Sequence, residues 1–246
     1  AGATGTGKTK TLQLLAGELS AAGIPVFVAD VKGDLTGLAA PGDGANPAVI
    51  DRATSMHWTF TPAAHPVEFL SLSGKLGAQL RANVHSFGPL LLGKVLDLNE
   101  TQTSILSLVF KYCDDKSLPL LDLADLGTTL KFLSSDEGKP ILADYGGMSQ
   151  ASVGVLLRAL VVLEQEGADV FFGEPSFDVA DLMRLTPDGK GVISVLELSD
   201  VMAKPRLFST FMLWLLAQLY QSMPEAGDLP KPKLAFFFDE AHLLFT

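Results

Sequence analysis

The stretch that decides the fold opens the chain: Gly2-Ala3-Thr4-Gly5-Thr6-Gly7-Lys8-Thr9, followed by Lys10. It matches the pattern G-x-x-x-x-G-K-[ST], whose glycines let the backbone wrap closely around a polyphosphate. We expect the backbone amides of residues 5–9 to face the phosphates. Lys8 would supply a cation for the β- and γ-phosphates, and the Thr9 hydroxyl would be a ligand of Mg²⁺. The sequence therefore predicts an ATP-binding loop over residues 2–10.

The residues after this loop predict a helix from Lys10 to Ala22, with Leu12, Leu15, Ala16 and Leu19 on its inner face. The positive end of its dipole would add to the anion site. A phosphate loop normally leaves a buried strand, yet only Ala1 precedes this one. We therefore expect the chain to be an internal piece of a longer protein that begins after the first core strand.

The other end of the chain carries Leu234-Ala235-Phe236-Phe237-Phe238-Asp239-Glu240. The apolar run predicts a buried strand, and Asp239 at its tip would hold the Mg²⁺ shell. Glu240 would orient or deprotonate the attacking water. Both motifs occur in one chain in the right order, which favours a Mg²⁺-dependent ATPase with Lys8 and Glu240 as catalytic residues.

The intervening residues predict an α/β fold. Apolar runs indicate strands at 24–30, 67–72 and 192–198, and we expect a loop at 37–56 and amphipathic helices at 149–166 and 205–223. Asp30 and Asp34 follow the first of these strands, where they could form either a binding site or an ordinary turn. We expect residues 1–82 to be the first part of the core, 83–185 a largely helical insertion, and 186–246 the rest of the core.

Composition excludes several classes of protein. Of the 246 residues, 48% are hydrophobic, which suits a globular core. A net charge of −10 argues against coating nucleic acid by bulk electrostatics. No apolar run reaches the length of about 18 residues needed for a membrane span. The single Cys113 cannot form an internal disulfide, so a cytoplasmic location is expected. The histidines lack metal-ligand spacing: His57, His65, His85 and His242.

Residues 2–9, 26–35 and 236–245 together resemble the HerA-like ATPases of the FtsK/HerA superfamily, and the likeness covers essentially the whole chain. The resemblance implies a RecA-like αβα sandwich, a homo-hexameric ring and ATP-driven DNA translocation or unwinding. It matches Lys8 and Thr9 to the family's phosphate and Mg²⁺ residues, and Asp239 and Glu240 to its metal-shell and catalytic acids. The family's sensor strand follows the acidic pair, so the chain alone is expected to be inactive.

Two other functions stay open at this point. A P-loop kinase or another small-molecule phosphotransferase is compatible with the acidic charge, although an Asp-Glu pair suits water activation better. The other alternative is a regulatory nucleotide switch. The chain has no Asn-Lys-x-Asp motif, so a GTPase is disfavoured. Arg158 and Arg206 are candidates for an arginine finger, but a solvated helix position explains each more simply. Lys204 and Arg206 could face either DNA or water.

Overall fold

The computed structural model describes residues 7–143, 145–223 and 227–238. These residues form a mixed α/β protein. Short 3₁₀ turns occur at Thr36–Ala39, Ala168–Val170 and Val179–Met183. The helices and strands are, in chain order, α1 (Lys8–Ala21), β1 (Val26–Asp30), α2 (Pro47–Ser55), β2 (Val67–Ser71), β3 (Ala78–Gln79), α3 (Val84–Val95), α4 (Glu100–Asp115), α5 (Leu123–Ser134), α6 (Lys139–Ala143), α7 (Gln150–Gln165), β4 (Ile193–Glu197), α8 (Pro205–Ser222) and β5 (Ala235–Phe238).

The chain forms two compact units. The sheet unit comprises Ala1–Ala78, Asp178–Asp200 and Glu225–Thr246, and the helical unit comprises Gln79–Phe177 and Val201–Pro224. Helix α8 therefore belongs to the helical unit, although it connects two strands of the sheet in sequence.

The described strands form one five-stranded sheet in the order β3-β2-β4-β1-β5. Strands β2, β4, β1 and β5 pair in parallel, which confirms the predicted α/β class. The two central strands, β4 and β1, are buried along their whole length, as their continuous apolar runs require. Strand β5 lies at the edge of this sheet and is half-buried. The RecA-like arrangement inferred from the resemblance stays a prediction.

Helix α1 packs its small residues on the sheet. Ala16 lies in the core with Val28 of β1 and Val195 of β4, and Leu12 and Leu19 pack against the same cluster. The expectation for Leu15 was wrong, because that side chain is 48% exposed. Leu15 has helical spacing from Leu12 and Leu19, but the buried face is centred on Ala16, which lies about 100° further round the helix.

The loop predicted at residues 37–56 is also wrong in part, because helix α2 occupies Pro47–Ser55. The Asn46 side chain accepts a hydrogen bond of 3.0 Å from the Ala48 amide and so caps the helix. Pro47 stands in the first turn, where a missing N–H costs nothing. Local composition favoured a loop, but the Asn-Pro pair is a helix start signal.

The helical unit contains the predicted helices. Asn99 caps helix α4 in a reciprocal capping box with Gln102, and Ser149 caps α7. Trp214 of α8 is buried and donates a hydrogen bond of 2.9 Å from Nε1 to Ser86 Oγ. The rings around Trp214 pack edge-on, tilted or stacked and fill the centre of this unit: Phe87, Phe171 and Phe211.

Candidate nucleotide-binding site

The N-terminus of α1 has the geometry of an anion-binding site. Gly7 is the N-cap in a left-handed conformation with φ 84°, and no side chain of the described residues caps the helix there. The first internal bonds run from Thr11, whose amide and hydroxyl both donate to the Gly7 carbonyl at 3.0 and 3.1 Å. The first amides of a helix have no acceptor within the helix. These amides and the helix dipole favour an anion at this end.

The structure places three of the predicted binding residues on the first turn of α1. Lys8 and Lys10 are exposed and Thr9 is half-buried. A side chain added at Gly7 would meet no atom of the described residues within 4 Å, but the positive φ would strain it. The other predicted loop residues lie outside the described part of the chain: Gly2, Ala3, Thr4, Gly5 and Thr6.

Helix α1 is linked to the loop after β1 by a polar contact. Gln13 Nε2 donates to the Asp34 carbonyl at 2.7 Å. The amide oxygen of Gln13 accepts from Lys10 Nζ at 2.8 Å. Gln13 therefore joins the first turn of the helix to the carboxyl edge of the sheet. Gln13 could not be recognised from the sequence, because an isolated polar residue on a helix carries no functional signal.

Asp30 at the end of β1 shapes the turn that follows this strand. Its side chain is fully buried, and its two oxygens accept three backbone hydrogen bonds. Oδ1 accepts from the amides of Lys32 and Gly33 at 3.1 and 2.9 Å, and Oδ2 accepts from the Leu35 amide at 2.8 Å. A carboxylate with several backbone donors is a strong local anchor. Asp30 thus fixes the shape of the loop at residues 31–35.

A second buried carboxyl group lies beside Asp30. Glu197 pairs in register with Asp30 on the neighbouring strand β4, and its residue is 5% exposed. Its Oε1 has no hydrogen-bond partner among the described residues. Burial raises the pKa of Glu197, and the nearby charges of Asp30 and Asp200 raise that pKa further. In the sequence, the one signal for Glu197 is that an acidic residue stands at the end of an apolar strand, and it was not among the predicted site residues.

Polar groups continue along this carboxyl edge at the end of β2. Ser71 also pairs in register with Glu197, and its hydroxyl accepts from the Gly74 amide at 3.1 Å. Ser73 in turn donates to the Asp200 carboxylate. Among the described residues, no group of three or more acidic, histidine or cysteine side chains is placed to hold a metal ion. The described part of this edge is therefore a row of polar side chains, of which Asp30, Ser71 and Glu197 are buried.

The predicted acidic pair, Asp239 and Glu240, lies outside the described residues. The strand that leads to the pair is present: Phe237 and Phe238 of β5 pair in register with Val28 and Ala29 of β1. It was expected to be buried, but it is half-buried because it lies at the edge of the described sheet. Of the two predicted magnesium ligands, Thr9 is the one that the structure describes. An exposed first turn with a hydroxyl beside it fits an Mg²⁺-bound triphosphate.

The basic residues considered for a finger or for DNA contact have different surroundings. Arg206 is half-buried in the helical unit, donates to the Val95 carbonyl at 3.1 Å and pairs with Glu166 at 3.3 Å. It therefore has a structural role there, rather than that of the solvated residue expected from the sequence. Arg158 on α7 and Lys204 before α8 are exposed.

Comparison with known proteins identifies the family. The family model described as "Helicase HerA-like C-terminal" matches residues 1–246. No curated protein matches the chain. None of the helices in the described part of the chain has both the length and the hydropathy required to cross a bilayer.

Proposed function

Because the chain belongs to the family of HerA-like helicase C-terminal domains, we propose that it is the ATPase core of a motor that translocates along DNA or unwinds it. At the level of the family, the protein is a helicase-like ATPase. The single observation that carries the finer proposal is the family match over all 246 residues. The left-handed Gly7 at the start of α1, with Lys8 and Thr9 on the first turn of the helix, supports it.

In this proposal the phosphates of ATP bind at the N-terminus of α1. The backbone amides of residues 5–9 hold the α- and β-phosphates, and the Lys8 ammonium contacts the β- and γ-phosphates. The phosphate loop cannot tolerate a side chain at Gly7 without strain, since φ there is 84°. Lys10, held by Gln13, adds positive charge close to the same end.

When Mg²⁺ is bound with the nucleotide, it neutralises the negative charge that develops on the transferred phosphoryl group. Thr9 contributes its hydroxyl to the ion, and Asp239 contributes its carboxylate to the metal shell. Glu240 accepts a proton from the attacking water and orients it. Lys8 and Glu240 are therefore the proposed catalytic residues, one on each of the two sequence motifs.

Work on DNA requires contacts that the overall charge does not provide. A net charge of −10 means that any phosphate contacts are local and few on each chain. We propose that a homo-hexameric ring gathers such contacts from its subunits around the DNA. A ring also lets one subunit supply an arginine to its neighbour's nucleotide, a role for which exposed Arg158 is a better candidate than paired Arg206.

The experiment that tests this proposal is ATP turnover by the intact protein with and without duplex DNA. Turnover should rise when DNA is added, and the stimulation should weaken with salt because phosphate contacts release counterions. Lys8→Ala is the control for contaminating ATPases and should abolish turnover under both conditions. Turnover that ignores DNA but rises with one small metabolite would contradict the motor and favour a phosphotransferase.

A further inference from the structure

We propose that Gln13 and Asp30 are positioning residues that hold the N-terminus of α1 in register with the carboxyl edge of the sheet. The inference rests on the proposed nucleotide site at that terminus. Neither side chain touches the nucleotide in this account. Asp30 shapes the loop at residues 31–35, and Gln13 attaches helix α1 to that loop.

Asp30 fixes the shape of the loop at residues 31–35. Three of its amides converge on the one buried carboxylate of Asp30 at 2.8–3.1 Å. Gly33 takes a positive φ of 75°, which lets the chain turn back within hydrogen-bonding distance of Asp30. Leu35 at the end of the loop is buried in the same core cluster as Ala16 of α1. The Asp34 carbonyl is therefore presented from a fixed position.

Gln13 links helix α1 to the Asp34 carbonyl of this loop. Gln13 donates to that carbonyl with its amide nitrogen and accepts from Lys10 with its amide oxygen. A carboxamide can donate and accept at once, which neither a carboxylate nor an ammonium group can do. Gln13 is four residues after Thr9, or about 6 Å along the helix axis. The contact therefore holds α1 within about one turn of the proposed phosphate site.

Loss of the Gln13 contact should affect how the N-terminal turn of α1 binds the phosphates. The other contacts of α1 include apolar packing at Leu12, Ala16 and Leu19, and near its C-terminal end two hydrogen bonds between Ser20 and Gly191. Apolar packing is not directional, so it allows small shifts of the N-terminal turn. Misplacement of a binding group by about 1 Å can cost as much as 100-fold in a reaction rate. Without Gln13, the amides and Lys8 would meet the phosphates in a less favourable geometry.

The test compares Gln13→Met with Thr36→Ala in the intact protein. Methionine keeps the length of the side chain but cannot bond to Asp34 or Lys10. Thr36 is exposed and donates to the Gly33 carbonyl at 3.3 Å, so its replacement removes a hydrogen bond from the same loop and leaves the helix contact in place. Mg-ATP affinity is measured by titration calorimetry, and stability by urea unfolding.

Gln13→Met should weaken Mg-ATP binding by up to about tenfold, because the displaced amides and Lys8 contact the phosphates less well. The urea midpoint should change little, because the lost Gln13–Asp34 bond is exposed and water replaces it. Thr36→Ala should bind as the parent does. Gln13→Met binding within about twofold of the parent would overturn the assignment, as would a loss of stability with unchanged affinity. A parent protein that binds no Mg-ATP would overturn the proposed function itself and this assignment with it.

Asp30→Asn provides a second arm. In Asp30→Asn, an NH₂ group replaces one of the two carboxylate oxygens. This donor would face the backbone N–H groups of the loop, which are donors too. If the variant folds, its Mg-ATP affinity should fall at least as far as that of Gln13→Met. If it does not fold, Gln13→Met alone decides the outcome.

Discussion

Ser20 anchors the C-terminal end of α1, and its replacement by alanine should destabilise the protein measurably. The side chain is fully buried, and its hydroxyl donates to the Gly191 carbonyl at 2.6 Å. The Gly191 amide returns a bond of 2.8 Å to the Ser20 carbonyl. Helix α1 is thereby joined to the residues that lead into β4. In Ser20→Ala the Gly191 carbonyl loses its hydroxyl partner in a site closed to water.

The magnitude follows from burial. A buried polar group left without its partner costs about 1–3 kcal/mol, whereas an exposed group recovers its bond from water. Ser55→Ala is the matched control, because Ser55 also donates to a backbone carbonyl, that of Arg52 at 2.7 Å, but is exposed. This control should change the free energy of unfolding by no more than about 0.5 kcal/mol.

The assay is equilibrium urea unfolding followed by far-ultraviolet circular dichroism, with the midpoint and the slope fitted separately for each variant. Ser20→Ala should lower the midpoint with an unchanged slope. Equal losses of stability in Ser20→Ala and Ser55→Ala would show that burial of the Ser20–Gly191 bond does not hold α1 in place.

Two further predictions concern buried titratable groups. Glu197→Gln should stabilise the protein relative to the parent, by an amount that grows as the pH rises from acid to neutral. Burial and the charges of Asp30 and Asp200 raise the pKa of Glu197 in the folded protein. The parent is therefore most stable at low pH, where Glu197 is protonated, and loses that stability as the pH rises through the raised pKa. Urea midpoints across a pH series check this, and a gain that is equal at every pH would refute it. Cys113 should react with a soluble disulfide reagent only after unfolding, since it is fully buried and burial raises the pKa of its thiol; prompt stoichiometric labelling of the native protein would show the opposite.

Much of the fold could be predicted from local patterns. Continuous apolar runs located β1 and β4, because strands buried on both faces have no polar alternation. The spacing of Val153, Leu156 and Leu160 located α7, and all three are buried. These elements are specified by their own residues, so a single sequence is sufficient to find them.

The failures have physical causes. Leu15 was placed inside because periodicity alone does not fix the rotation of a helix that presents apolar residues on adjoining faces. Helix α2 was missed because its cap, Asn46 before Pro47, lies in a stretch rich in loop-forming residues. Arg206 was expected in water, but the Val95 carbonyl and Glu166 that hold it are distant in sequence.

The surroundings of the candidate site depend mainly on contacts between residues that are distant in sequence. The motif at residues 2–9 predicts phosphate binding, and the N-terminus of α1 has suitable geometry. The pairing of Asp30 with Glu197, however, follows from the insertion of β4 between β2 and β1. Likewise, the bond from Gln13 to Asp34 spans 21 residues and depends on how α1 lies over the loop. No local pattern in the sequence encodes either contact.

The central claim is that the two terminal motifs form one ATPase site, and the behaviour of Glu240→Gln tests it most directly. Mg-ATP affinity and single-turnover hydrolysis are measured on the intact parent, on Glu240→Gln and on Lys8→Ala. Glu240→Gln should bind Mg-ATP nearly as the parent does and hydrolyse it about 10²–10⁴-fold more slowly, because an amide cannot accept the proton of the attacking water. Lys8→Ala should instead lose affinity, because its cation on the β- and γ-phosphates is gone. Hydrolysis by Glu240→Gln at the parent rate would contradict the account.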